Sequence, residues 1–130
     1  EIIHCRAVEK AIERATPRDV ERLERIVAEA DRYIDKQGKV NKLISLSIEF
    51  HELILKLSGN KKFVETNKLL MPHLIRFTAE LLWDEEEKRR IGWGTRKTIV
   101  AAFKNKDKKQ ATLKMKEHYQ RGRTFVLGKV

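Results

Sequence analysis

Ser47-Ile48-Glu49-Phe50-His51, followed by Ser58-Gly59-Asn60, sets a histidine in the middle of an otherwise apolar helix face and then stops the helix. The residues around it, Val40 to Ser58, have helical spacing. Lys42, Ser45, Glu49, Glu52 and Lys56 recur at intervals of three and four and form a clean polar face. At about 100° per residue, Ser47 and His51 fall on the opposite side, beside Ile44 and Ile54. They stand one turn apart, so their side chains are neighbours. Gly59-Asn60 supplies the stop, because a glycine readily takes the left-handed conformation that closes a helix.

Outward from this segment the chain reads as helix from end to end, with no strand pattern and no internal repeat. Residues 1 to 15 form a helix already under way, since no cap precedes Glu1; this fits a piece cut from something longer. Thr16-Pro17 starts the next helix, with Thr as the cap and Pro at the first helical position. Val20, Leu23, Ile26, Val27, Ala30 and Ile34 form its apolar stripe, and Gly38 is the expected stop. After Asn60 a long helix is expected from Lys61 to Trp83, with Phe63, Leu70, Leu74, Phe77 and Leu81 on one side. Pro72 should kink or break it near Met71, because proline removes a backbone donor and crowds the preceding turn. The stretch from Asp84 to Arg90 and Gly92-Trp93-Gly94 read as an irregular connection, with Thr95 capping the following helix. Ile99, Val100 and Phe103 form the stripe of that helix, and Arg96 lies on it at spacings of three, four and seven. A last helix starts near Asp107 and turns Ala111, Met115, His118 and Gly122 inward.

Composition bounds the function. A chain of 130 residues makes one domain with a real core. No apolar run approaches a membrane span and no signal peptide is visible, so no membrane partner is expected. The lone Cys5 cannot form an internal disulfide, which fits a reducing, cytoplasmic setting. The net charge of +10 favours polyanion attraction, but the basic residues are spread widely. Their local excess runs from Lys104 to Lys109 and over Lys114, Lys116, Arg121 and Arg123. A solvated lysine-rich surface accounts for this equally well, and few aromatics interleave to stack on bases.

Ser47, His51, Arg96 and His118 therefore point inward from three helices. A buried arginine costs several kcal/mol unless an anion or good hydrogen bonds offset it. Buried histidines need partners for both ring nitrogens. A shared polar cavity would satisfy all four, and bundle cores commonly hold such sites. Each residue also has a plainer explanation: a lone histidine on an apolar face is often a satisfied core residue, and Arg96 can snorkel to solvent.

The chain resembles the C-terminal effector-binding (FCD) domain of FadR-like GntR transcription regulators over nearly its whole length. The resemblance is carried by Glu13-Arg14-Ala15-Thr16 with Asp19 to Leu23, by Phe50-His51 with Ser58-Gly59-Asn60, by Ile99 to Asp107, and by Met115 with His118. It implies an all-α antiparallel bundle of six or seven helices. Residues 1–130 would be an effector-binding and dimerisation domain, and a winged helix-turn-helix domain, absent from this chain, would bind operator DNA. Many such domains hold a divalent metal on one Asp and three His, and the metal helps bind a small carboxylate effector. Here the Asp position is Ser47 and the second His position is Arg96, while His51 and His118 match. The 22 residues from Arg96 to His118 (118 − 96) keep the family's register. His73 and Arg76 lie on the helix that often lines the pocket in this family.

The two departures change the expected chemistry. A serine alcohol stays protonated at neutral pH and is a poor ligand for Zn²⁺, Ni²⁺ or Mn²⁺. Arginine cannot coordinate a metal, and its charge repels one. At most His51 and His118 remain as ligands, so no cofactor is expected. The expected ligand-binding residues are Ser47, His51, His73, Arg76, Arg96 and His118, with Arg96 offering its two-pronged fork to a carboxylate. Two other readings stand beside this one: a basic helical domain that binds nucleic acid directly, and a structural dimerisation bundle with a degenerate pocket. An enzyme is not expected. Ser47 and His51 imitate a nucleophile and base, but no orienting acid or oxyanion hole accompanies them.

Overall fold

The structure, a computed structural model, describes residues 2–36, 39–82 and 86–129. These residues form six helices: α1 (Ile2–Arg14), α2 (Pro17–Asp31), α3 (Val40–Ser58), α4 (Lys61–Leu82), α5 (Glu86–Lys104) and α6 (Lys108–Lys129). The all-helical antiparallel bundle is the expected fold class.

Local chemistry sets the turns. Thr16 and Asp19 form a reciprocal capping box: the Thr16 hydroxyl accepts from the Asp19 amide at 3.2 Å, and the Asp19 carboxylate accepts from the Thr16 amide at 2.9 Å. Ser58-Gly59-Asn60 joins α3 to α4. Ser58 donates its hydroxyl to the Leu55 carbonyl, and Gly59 takes φ of 75° and donates its amide to Lys56. The Asn60 side chain then accepts from the amides of Lys62 and Phe63 at 3.0 and 3.2 Å, which starts α4. Asp107 caps α6 by accepting from the Gln110 amide at 3.1 Å.

α3 lies at the centre, packed against α1, α2 and α4, while α6 packs against α1, α4 and α5, and α2 against α5. Its inner face buries Leu43, Phe50, Ile54 and Leu55 completely. Leu43, Phe50 and Ile54 meet Val8 and Ala11 of α1, Leu23 of α2, Ile99 and Phe103 of α5, and Ala111 and Met115 of α6 in one core. Each fully buried side chain of this size contributes roughly 1.5–3 kcal/mol by leaving water. Together they turn inward faces of α3, α5 and α6 toward that shared core.

Four sequence expectations need correction. Gly92-Trp93-Gly94 is not an irregular connection. α5 already begins at Glu86 and runs straight through it, and Thr95 is not a cap but an interior residue whose hydroxyl donates to the Ile91 carbonyl. The two glycines weaken this helix by only about 1 kcal/mol each. Complete burial of Trp93 offsets that cost. α2 ends at Asp31 rather than at Gly38, which lies outside the described residues. Arg32 and Tyr33 donate to carbonyls three residues back, tightening and closing the turn. Beyond it the buried Arg89 of α5 donates to the Ile34 carbonyl at 2.7 Å, so a long-range side chain finishes this connection. Leu70 is 56% exposed rather than part of an apolar stripe. The side chains of Leu74, Phe77 and Leu81, and of Gly122 on α6, lie outside those described. Pro72 lies within α4, which runs on past it without a break.

Candidate functional site

Ser47 and His51 sit one turn apart on α3 and are fully and almost fully buried. The length and clean polar face of α3 fix this orientation, because Lys42, Glu49 and Lys56 can reach water only if Ser47 and His51 face inward. Arg96 meets them from α5, on the same stripe as Ile99, Val100 and Phe103. It does not snorkel: its exposure is 3%. Its Nη2 donates to the Ser47 hydroxyl at 2.6 Å, bridging α5 and α3. Its Nη1 turns back along its own helix and donates to the Gly92 carbonyl at 3.0 Å. The guanidinium carbon lies 4.5 Å from the centre of the Trp93 ring, a close cation–π contact.

Burial pushes the Arg96 pKa down from its usual value to about 10, opposed by the Tyr119 phenol. The group is therefore cationic at neutral pH, although the desolvation it suffers is large. Ser47 Oγ and Gly92 O, which accept from it, are neutral oxygens.

His118 approaches from α6 and is half-buried. Its ring centre lies 5.5 Å from that of His51, with the planes tilted by 31°. Tyr119 completes the group at 6.0 Å from His51 and 5.4 Å from His118. Phe50 sets its ring edge-on to His51 at 5.6 Å. On the next turn Arg121 donates to the Thr95 hydroxyl at 3.1 Å, a polar tie between α6 and α5.

Four of the six residues singled out from the sequence, Ser47, His51, Arg96 and His118, thus come together. His73 and Arg76 do not join them; both are exposed on α4. Trp93 and Tyr119 belong to the group and were not anticipated. Trp93 precedes Arg96 by three residues, the spacing at which a helical side chain lies over its neighbour, and that spacing was available in the sequence. Tyr119 carried no comparable signal.

The residues present do not fit a divalent metal. The Ser47 oxygen is occupied as an acceptor for a cation, and that cation stands where an imidazole would be needed. Among the described residues, no three His, Cys, Asp or Glu side chains gather as a metal-binding group. The arrangement can instead receive an anion: a buried guanidinium, two imidazoles, a phenol and a hydroxyl are all capable of donating.

Comparisons with known proteins identify the fold and the family. The FCD domain family model matches residues 1–121. Among solved structures, Escherichia coli McbR/YncC matches with a TM-score of 0.83 over 98% of this chain at 19% identity, a likeness of fold. This chain spans 60% of the length of that one. No curated protein sequence matches. With the family model covering nearly the whole six-helix bundle and its Ser47, His51, Arg96 and His118 cluster, the chain belongs to the FCD domain family, the effector-binding domains of GntR-type transcription regulators.

Proposed function

We propose that this domain senses a small carboxylate metabolite through Arg96, without a metal, and that it controls operator binding by a winged helix-turn-helix domain preceding it in a homodimeric bacterial regulator. The observation that carries the reading is the Arg96 guanidinium, held charged inside the bundle between Ser47 and Trp93. A carboxylate accepts two parallel hydrogen bonds from such a fork, which no neutral oxygen can match. It would take over the bond that now runs to Ser47, and His51, His118 and Tyr119 supply further donors around it.

This substitution has a conformational consequence. The Arg96–Ser47 bond is a tie between α5 and α3. A ligand that captures Arg96 loosens that tie while adding its own contacts to α3 and α6, so it favours one helix arrangement over another. That differential affinity is what a population shift requires.

The test is a thermal-shift panel of mono- and dicarboxylates and phosphates on the purified domain, with and without chelator, alongside metal analysis. Carboxylates are expected to raise the melting temperature of the wild type, to do nothing for Arg96→Ala, and to act equally with chelator present. Stoichiometric metal, or stabilisation that chelator abolishes, refutes the reading.

A further inference from the structure

α2 and α5 lie side by side and run in opposite directions, as the Arg89 bond to Ile34 and the Lys97–Asp31 ion pair at 2.7 Å show. Between them runs an open groove of about 280 Å³. Its walls are two short rows at helical spacing. α2 contributes Glu24, Ala28 and Asp31; α5 contributes Lys97, Ala101 and Lys104. One row is acid, small, acid and the other is base, small, base. The floor is apolar, formed by Val27 and Val100. Ala28 and Ala101 are exposed, and nothing larger fills the middle of either wall.

We infer that this groove is the surface on which two copies of the chain pair, which gives the homodimer of the proposed function a specific interface. A surface that pairs with itself about a two-fold axis must be complementary to its own rotated image. Consider an axis lying along the groove. Rotation sets the second copy's α2 above α5 and its α5 above α2. The acid row of each copy then faces the lysine row of the other, at matching heights, because Asp31 is level with Lys97 and Glu24 lines the same groove as Lys104. Every charge in the resulting four-helix layer has opposite charges beside and across from it. An acidic or a basic partner would match one row and be repelled by the other.

The small residues supply the close approach. Helix axes pack about 8–10 Å apart when the side chains at the crossing permit. Ala28 and Ala101 permit it, and closure covers these two alanines and the aliphatic stems of the two lysines over a floor of valines that each chain already buries. The Lys97–Asp31 pair is half exposed within one chain, at 47% and 44%, so by itself it adds little to stability. Its charges act instead on orientation and register when a second copy docks.

The experiment uses the 130-residue chain and two charge reversals, Glu24→Lys with Asp31→Lys and Lys97→Glu with Lys104→Glu, followed by sedimentation equilibrium. The first reversal makes both rows basic and the second makes both acidic. Each variant should repel itself and dimerise at least about tenfold more weakly than wild type. An equimolar mixture should recover the dimer as a one-to-one heterodimer. Variants that dimerise like wild type, or folded variants whose mixture stays monomeric, overturn this interface while leaving the carboxylate reading intact. A wild type that stays monomeric at about 100 µM overturns the homodimer itself. If either reversal fails to fold by circular dichroism, Ala28→Arg takes its place. That substitution is at an exposed helical position and obstructs the approach of a second copy, so loss of the dimer supports the interface and its retention overturns it.

Discussion

Replacing Arg96 by methionine should make the ligand-free domain more stable, not less. Methionine keeps most of the aliphatic volume and removes the charge. The size of the effect follows from the position of the guanidinium. Burial lowers its pKa to about 10, well below the usual arginine value. A displacement of that size corresponds to about 3 kcal/mol of penalty on the charged form inside the fold. Against this stands the loss of the stack on Trp93, worth roughly 1 kcal/mol. The Gly92 carbonyl keeps its place in the i+4 ladder of α5 when the guanidinium is gone. The Ser47 hydroxyl can rotate and donate elsewhere when its donor is gone. A net gain of about 2 kcal/mol remains, within the range of about 1–4 kcal/mol found when buried charged groups give way to apolar ones. For a domain of this size that raises the melting temperature by about 8 °C.

Chemical denaturation of wild type and Arg96→Met in the absence of carboxylates measures the difference. The same pair gives a pH signature. The folded-state pKa lies below the unfolded one, so between them the unfolded chain binds more protons than the folded chain. The penalty is fully present below the folded value and fades as the pH climbs through it toward the unfolded one. The advantage of Arg96→Met should therefore shrink between about pH 9 and about pH 11. A variant less stable than wild type by a similar 2 kcal/mol, with no pH-dependent convergence, refutes the reasoning. Arg96 would then be a net structural tie and not a strained cation kept for a ligand.

Three further outcomes test the architecture. Gly94→Ala should stabilise by about 0.5–1 kcal/mol, because the position is helical and an added Cβ meets nothing within 4 Å; destabilisation measured by urea titration would restore an irregular connection there. Gly59→Ala should destabilise by about 1–2 kcal/mol through its φ of 75°, while the nearby Arg14 guanidinium can swing aside, so a neutral result would remove the left-handed closure of α3. Asp19→Ala should cost about 1 kcal/mol at neutral pH, and urea titrations at falling pH should show this difference vanish in acid. The Thr16 amide bond holds the Asp19 carboxyl below its usual 3.8, so the box contributes fully above that value and is lost as the pH falls through the lower folded one.

The helices whose apolar spacing met a local start or stop were legible in the sequence. Thr16-Pro17 and Gly59-Asn60 act through neighbours one to three residues away, and the structure shows those same short bonds. What was not legible depended on distant partners. Gly92-Trp93-Gly94 looks like a breaker locally, yet Trp93 finds a fully buried slot made by other helices, and that burial overrides two weak helix formers. The α2 stop was misplaced for the same reason, since Ile34 remains buried at 5% after the helix has ended and its carbonyl is served by Arg89, 55 residues away. In the site, periodicity could set Ser47, His51, Arg96 and His118 on inward faces. The heights of three helices relative to one another, which decide whether those faces meet, are set by core packing. His73 and Arg76 show the limit of positional inference: helical spacing says nothing about which turn of α4 faces the bundle.

The resemblance that placed Ser47 and Arg96 at ligand positions also allows a reverse experiment. A divalent ion with one carboxylate and neutral imidazoles sums to a single positive charge, and Arg96 alone supplies a single positive charge. The pocket would then offer a carboxylate the same net field with fewer parts. If so, the remaining half of the cage should still be in register. His51 and His118 satisfy this requirement: two imidazoles on one tetrahedral ion at about 2.1 Å put their ring centres about 5.2 Å apart, and here the separation is 5.5 Å. Ser47→Asp combined with Arg96→His should therefore acquire a binding site for Zn²⁺ or Ni²⁺ where wild type has an arginine fork. The expected result is stoichiometric metal after dialysis and a melting temperature that rises with the ion and falls with chelator, whereas Ser47→Asp alone pairs its carboxylate with Arg96 and takes up none. A folded double variant that binds no metal would show that the two histidines do not converge on a common point. The charge-for-charge replacement of a metal by Arg96 would then lose its geometric basis.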